Sequence, residues 1–315
     1  MTSTLAQAPT ETPSRPRHRK LELTDKDRAE RRLGLYLVAP AVIVMAAVTV
    51  YPICYAIWLS IQRYNLRTPE DRGYVGLDNY IRILSSSIFW QNVGNTLLIT
   101  VVSVAVELVV GLAFALVMHR AIFGRRTVRT SVLIPYGIIT VVAAFAFLFA
   151  FSPDQGGFVN NLFGFDTPLL TTRGGSFFVI ILTEIWKTTP FISLLLLAGL
   201  ATIPEELQEA ARVDGATAWQ RLWRVTLPNM KGAILVAVLF RTLDAVRIFD
   251  TVYIQTRGAN NTSTLSMLGY NQLINQVNLG LGSAVSVLLF LLVILIAVIF
   301  VKGFHTNLGQ VRGER

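Results

Sequence analysis

Six stretches of this 315-residue chain are long and apolar enough to cross a membrane, and they restrict its fold more than any other feature. They fall at 35–61, 93–118, 131–151, 177–200, 232–254 and 283–301. Each exceeds the roughly 18 residues that mark a spanning helix. Backbone groups in hydrocarbon must find partners within the protein, which leaves helices or closed barrels. A barrel needs alternating strands of ~10 residues, and the chain carries no such pattern. Only 15% of its residues are charged, against about 25% in a soluble domain. The expectation is an all-α integral membrane protein with six transmembrane helices.

The net charge of +9 invites a nucleic-acid reading, but the distribution points elsewhere. With the N-terminus inside, 19 of the 28 Lys and Arg fall in inside segments and six in outside ones; Lys187, Arg241 and Arg247 lie within spans. That bias is what the positive-inside rule predicts for two cytoplasmic termini. Topology accounts for the basic balance with no nucleic-acid partner. Residues 1–33 read as a disordered cytosolic tail ending in a short amphipathic helix near 25–32, 34–303 as the permeating domain, and 304–315 as a second cytosolic tail. The first apolar run is too long for a signal peptide and has no small-residue cleavage site. The single cysteine, Cys54, has no partner for a disulfide or a metal site.

One polar segment, 202–228, separates the fourth and fifth apolar runs. Thr202 followed by Glu205 fits a capping box, and Pro204 fits the first turn. Glu205, Glu206 and Glu209 complement the helix dipole. Gly215 suits a left-handed C-cap. A helix of about three turns is expected, with Leu207, Ala210, Ala211 and Ala216 as small apolar contacts. Trp219, Leu222 and Trp223 form a second stripe placed to lie against the membrane, and Pro228 ends it. A surface helix in the headgroup layer usually shows Lys and Arg on its wet face. The acidic start here favours a protein partner.

Charge inside the membrane costs ~2.5–3.5 kcal/mol per residue on insertion scales, so such residues face protein or water. Arg241, Asp244, Arg247 and Asp250 recur every three residues, and Glu184 stands three before Lys187. These residues serve either as salt bridges between helices or as the hydrophilic lining of a path. In the second reading Glu184, Trp186, Arg241, Asp244 and Arg247 line the path, and Trp186, Tyr270 and Asn271 suit an uncharged sugar. Glu107 needs a cationic partner on another helix, which spacing does not name. No phosphate-binding G-x-x-x-x-G-K-[ST] loop occurs, and no catalytic or metal-ligating arrangement stands out. An ion-coupled secondary transporter working through Asp244 or Glu107 is the alternative. Six helices without an inverted repeat are few for that class.

The polar segment reads Glu209-Ala210-Ala211, three residues, Gly215, nine residues, then Val225-x-Leu227-Pro228. This resembles the loop of permease subunits in binding-protein-dependent, ATP-driven importers of the maltose and glycerol-phosphate group. Asn95-Thr96, Pro135, Gly157 to Asn160, Trp186 to Pro190, Ala198 to Pro204 and Phe249 to Gly258 match in order, so the resemblance covers roughly 34–305. One departure is Gly258-Ala259-Asn260, where the family often has Gly-Gly-Pro. The resemblance implies a cytoplasmic coupling helix between the fourth and fifth spans, with Glu205, Glu209, Ala210, Ala211, Asp214 and Gly215 as the ATPase-coupling residues. It also implies a bacterial cell-membrane location, a second homologous permease subunit, two ATPase subunits carrying the ATP and Mg, and an extracytoplasmic substrate-binding lipoprotein. No cofactor is expected on this chain. Within that group the overall likeness is to permeases for the disaccharide trehalose.

Overall fold

The structure, a computed structural model, describes residues 25–120, 124–152, 157–164 and 168–303. Residues 1–24 and 304–315 lie outside it, and with them most of the expected first tail, all of the second, and basic residues Arg15, Arg17, Arg19, Lys20, Arg312 and Arg315. The chain divides into two units, Met1–Cys54 and Tyr55–Arg315. The described part of the first unit is a single helix. This helix, α1, covers Asp25–Ser60 and continues into the second unit. It runs unbroken past residue 33, so the expected short amphipathic helix and the first span are one element. Its large apolar side chains from Leu33 to Tyr51 are exposed, as suits a helix in contact with lipid.

The second unit continues from α1 through a two-residue antiparallel hairpin, β1 (Gln62–Arg63) and β2 (Gly73–Tyr74), into α2 (Asp78–Leu84). Then come α3 (Ser87–Arg120), α4 (Arg125–Gly137), α5 (Thr140–Phe151), α6 (Phe158–Phe163) and α7 (Arg173–Leu200). The polar segment folds as α8 (Glu205–Val213), α9 (Ala218–Arg221), a π turn (Leu222–Thr226) and α10 (Leu227–Asn229). The chain closes with α11 (Lys231–Ala245), α12 (Asp250–Gln255), α13 (Leu265–Tyr270), a second π turn (Asn271–Asn275) and α14 (Leu279–Gly303).

Four helices are long and apolar enough to span by themselves: those in α1, α3, α7 and α14. Two of the six apolar runs are not continuous helices, so the expected spans appear as four unbroken helices and two bent pairs, up to six if each pair counts as one. The third run bends by 87° between α4 and α5. Pro135 has no N–H to give the preceding turn, and Ile138 and Ile139 then take extended backbone angles, with ψ of 134° and 136°. The fifth run stops at Ala245. Arg247 and Ile248 donate only to the carbonyls three residues back, Phe249 leaves the helical region at φ −138°, and α12 starts afresh at Asp250. A further bend of 71° separates the helical run 218–229 from α11. Pro228 therefore precedes this break by two residues instead of ending the helix itself.

Helices α3, α7 and α11 pack around Ala115, Ile192, Leu196, Leu200, Met230 and Ala237. Small residues set their approach, as is usual between membrane helices. A Cβ on Gly111 would come within 2.8 Å of an Ile192 methyl, and one on Gly199 within 2.4 Å of the Ala233 Cβ. At the other end of the bundle, side-chain amides tie the connecting loops together. Asn95 Nδ2 donates to the carbonyls of Asn261 and Ser263, each at 2.8 Å. Asn260, left-handed at φ 54°, donates to the Leu170 carbonyl at 2.9 Å and to Ser176 Oγ at 3.1 Å. Asn tolerates that conformation better than most residues, and a proline could not adopt it. The Gly258-Ala259-Asn260 departure is thus used as a crosslink between loops.

Candidate functional site

Two features of the second unit stand apart from ordinary packing: the helix α8 and a cluster of buried charges on α3, α7 and α11, to which α12 adds a hydroxyl.

Helix α8 begins at Glu205, and its N-cap is Pro204, extended at φ −57° and ψ 136°. The capping box expected from Thr202 and Glu205 is absent. Thr202 Oγ1 instead donates to the Gly199 carbonyl at 2.8 Å, closing the last turn of α7. Pro204 correspondingly sits before the helix and not within its first turn. Glu205 and Glu206 complement the positive end of the dipole in place of a cap. A true capping box lies downstream: Gln220 N donates to Thr217 Oγ1 at 3.3 Å, and Thr217 N donates to Gln220 Oε1 at 2.8 Å. Thr217-Ala-Trp-Gln220 carries that pattern openly in the sequence. The C-terminal end is as expected. Gly215 takes φ 77°, and Ala216 N reaches back to the Ala211 carbonyl at 2.9 Å, the six-to-one bond of a Schellman turn.

No residue of α8 is buried. Glu205, Glu209, Ala210, Asp214 and Gly215 are exposed and Ala211 is half-buried. Of the expected apolar contacts, Ala211 and Ala216 are half-buried, whereas Leu207, 43% exposed, and Ala210 stay largely open, as does Val213 at 88%. Among the described residues one side-chain hydrogen bond ties it to the π turn that follows α9, from Gln208 Nε2 to Thr226 Oγ1 at 3.1 Å. An amphipathic helix left open on nearly every side offers its surface to another molecule.

The buried cluster centres on Arg241 of α11, whose side chain is 2% exposed. Its Nε and Nη2 grip the Glu107 carboxylate of α3 at 2.6 and 3.0 Å. Nη2 also donates to Glu184 Oε2 of α7 at 3.0 Å, and Nη1 to Asp244 Oδ2 at 2.9 Å. Hydroxyls complete both carboxylates: Thr188 Oγ1 donates to Glu107 Oε1 at 2.7 Å, and Thr251 Oγ1 of α12 to Glu184 Oε1 at 2.6 Å. Planar guanidinium suits this fork geometry and stays charged at any working pH. A buried ion pair holds only when its remaining lone pairs are also satisfied, which is what the two threonines do. The break in the fifth run carries Thr251 onto Glu184.

The partner of Glu107, unnamed by spacing, is therefore Arg241. Of the pairings that the alternating charges permit, Arg241 with Asp244 forms, and those of Glu184 with Lys187 and of Arg247 with its neighbours do not. Lys187 leaves Glu184 to Arg241 and places its Nζ 5.9 Å from the Tyr136 ring. Asp244 pairs with Arg241, yet its side chain is 66% exposed. Arg247 lies past the end of α11, exposed, and donates to the Leu243 carbonyl at 3.1 Å. Neither Arg247 nor Asp250 makes an ion pair among the described residues, because the helix face they were to share ends at Ala245. Trp186 packs on Phe147 at 5.6 Å between ring centroids. Tyr270 instead joins Phe249 and Tyr253, at 5.0 and 5.2 Å, beside a cleft of about 300 Å³ lined by Leu265, Gly269, Leu273 and Ser286 among others. Thr188 and Thr251 were missed from sequence. Thr188 stands four residues after Glu184, on the same helical face, and that spacing was the available signal. Among the described residues no group of three or more His, Cys, Asp or Glu is placed to hold a metal ion.

Residues 107–310 match the family described as binding-protein-dependent transport system inner membrane component. The chain is 55% identical over 281 residues to the trehalose transport system permease protein SugA of Mycobacterium tuberculosis, covering 89% of this chain and 91% of that one. It is 37% identical over 279 residues to the trehalose/maltose transport system permease protein MalF of Thermococcus litoralis, covering 87% and 94%. A solved bacterial alginate ABC transporter, in complex with an alginate pentasaccharide-bound periplasmic protein, shares the fold with a TM-score of 0.76 at 23% identity, over 89% of this chain and 96% of that one.

Proposed function

The chain belongs to the inner-membrane components of binding-protein-dependent transport systems, and from that premise we propose that it is the permease subunit of an ATP-driven importer for a disaccharide of the trehalose type. Both termini and α8 lie on the cytoplasmic side of a bacterial cell membrane. A second, homologous permease completes the path, and an extracytoplasmic binding lipoprotein delivers the sugar. Two ATPase subunits bind the ATP and Mg and receive α8 in a surface cleft. Glu205, Glu209 and Asp214 meet that cleft with charge-assisted hydrogen bonds, Ala210 and Ala211 allow close approach, and Gly215 makes the turn that redirects the chain. Rocking of the helices between two states then opens the path to one side or the other.

The observation that carries this reading is the state of α8: acidic at its start, turned sharply at Gly215, unburied along its length and tethered by one side chain. The trehalose assignment rests on the relatives' cargo. Uptake of labelled trehalose by a strain deleted for this chain, with and without the restored gene, tests it; restoration of a different disaccharide only would move the substrate. No observation favours ion coupling, since the acids that alternative needs, Glu107 and Asp244, are both engaged by Arg241.

Asp244 separates lining from scaffold. Its carboxylate is mostly exposed, and an exposed ion pair contributes about 0–1 kcal/mol. In Asp244→Ala, Arg241 keeps Glu107 and Glu184, so membrane protein level should stay near wild type while uptake falls severalfold. Equal loss of both, measured by immunoblot and initial uptake rate, would leave Asp244 a structural role alone.

A further inference from the structure

The helical run 218–229 is inclined by 71° to α11. With α11 taken as the part of the fifth span that crosses, at the average tilt of about 20°, that inclination turns the run toward the membrane plane. Its exposed large apolar residues are Trp219 and Trp223, 67% and 56% exposed, which meet edge to face at 5.6 Å. Leu222 and Val225 are half-buried, and Thr226 and Met230 are buried. Charge divides sharply along this part of the chain. Glu205, Glu206, Glu209 and Asp214 lie on or beside α8. From 215 to 243 there is no acid at all, while Arg221, Arg224, Lys231 and Arg241 occur; Arg224 and Lys231 are exposed and Arg221 half-buried. Paired tryptophans favour the headgroup boundary, and clustered cations there attract anionic phospholipid.

We propose that the run 218–229 is a platform seated in the cytoplasmic leaflet: Trp219 and Trp223 enter the headgroup boundary, and Arg221, Arg224 and Lys231 hold the phosphates of anionic phospholipid. The platform fixes the height of α8 through the bond between Gln208 and Thr226. The two halves of the polar segment thus take different partners, protein for the acidic half and lipid for the basic half. This rests on the cytoplasmic placement proposed above, but not on docking of α8.

The test is quenching of tryptophan emission by lipid brominated on its acyl chains. The assembled transporter is placed in nanodiscs of phosphatidylethanolamine and phosphatidylglycerol, with either brominated phosphatidylglycerol or brominated phosphatidylcholine added. The signal of the pair is the difference between wild type and Trp219→Phe/Trp223→Phe, read only on preparations that retain their partner subunits. The pair should be quenched, and more strongly by phosphatidylglycerol than by phosphatidylcholine. That preference should fall toward parity in Arg221→Gln/Arg224→Gln, by up to roughly fivefold for each cation removed. A pair quenched by neither lipid, or by both equally, overturns the proposal. Absence of quenching in the assembled transporter would assign the tryptophans to a protein interface. Failure of α8 to reach an ATPase would leave the quenching unchanged, so the two ideas fail separately.

Discussion

Arg241→Met should strip the permease from the membrane: a loss of roughly 3–5 kcal/mol is expected, because two carboxylates stay buried after their cation is gone. Glu107 is fully buried and Glu184 nearly so. In wild type one guanidinium serves both, drawing α3, α7 and α11 together while Thr251 adds α12. With methionine at 241, Thr188 and Thr251 still reach the two acids, but two hydroxyls do not replace a charge. The readouts are steady-state protein in membranes and the melting temperature of the purified complex; wild-type values for both would contradict the scaffold reading. The informative companion is Glu107→Leu/Glu184→Leu/Arg241→Met. Exchanging a whole buried ion cluster for apolar residues is often neutral or stabilising, so the protein should reappear. Uptake in that variant then decides between the two roles left open by the sequence. Full transport makes the cluster scaffold only; recovered protein without transport places it on the path.

Gly215→Pro should abolish import while leaving the protein in the membrane. The native φ is 77°, whereas proline is held near −65°, and the bond from Gly215 N to the Arg212 carbonyl is lost as well. The site is exposed, so the damage stays in the α8 turn. Gly215→Ala adds a strain of about 1–2 kcal/mol and should retain partial transport, which separates geometry from mere substitution. Glu209→Arg should act through the partner alone. Its side chain takes no part in the internal hydrogen bonds among the described residues, and a reversed charge at a docking surface opposes association. Normal uptake in both Gly215→Pro and Glu209→Arg would remove the docking role.

Membrane class and helix content were legible because apolar length is a property of a window, insensitive to what packs beside it. The turn at Gly215 was legible for a related reason: a left-handed C-cap is a local backbone event. What failed was long-range or competitive. Thr202 carried a correct capping pattern, but the end of α7 claimed its hydroxyl first. The third and fifth runs hold the hydropathy of unbroken spans, and hydropathy is blind to a bend at Ile138 or a restart at Asp250. The ladder of charges from Arg241 to Asp250 presumed one continuous helix, so it lost its last two members when α11 stopped at Ala245. Glu107 and Arg241 stand 134 positions apart, and one sequence offers no local signal joining them. The outward-bonding Asn260 looked like a departure from the family pattern; only the positions of Leu170 and Ser176 reveal its use.

The most direct measurement is chemical capture at α8. In a Cys54→Ser background, single cysteines replace Glu205, Leu207, Glu209, Arg212 and Asp214 in turn, and a short crosslinker is applied to membranes that still import sugar. The account predicts a discrete adduct with an ATP-hydrolysing subunit from several of these positions, with a yield that changes when nucleotide is added. An import-competent preparation in which none of the five positions traps such a subunit would contradict it.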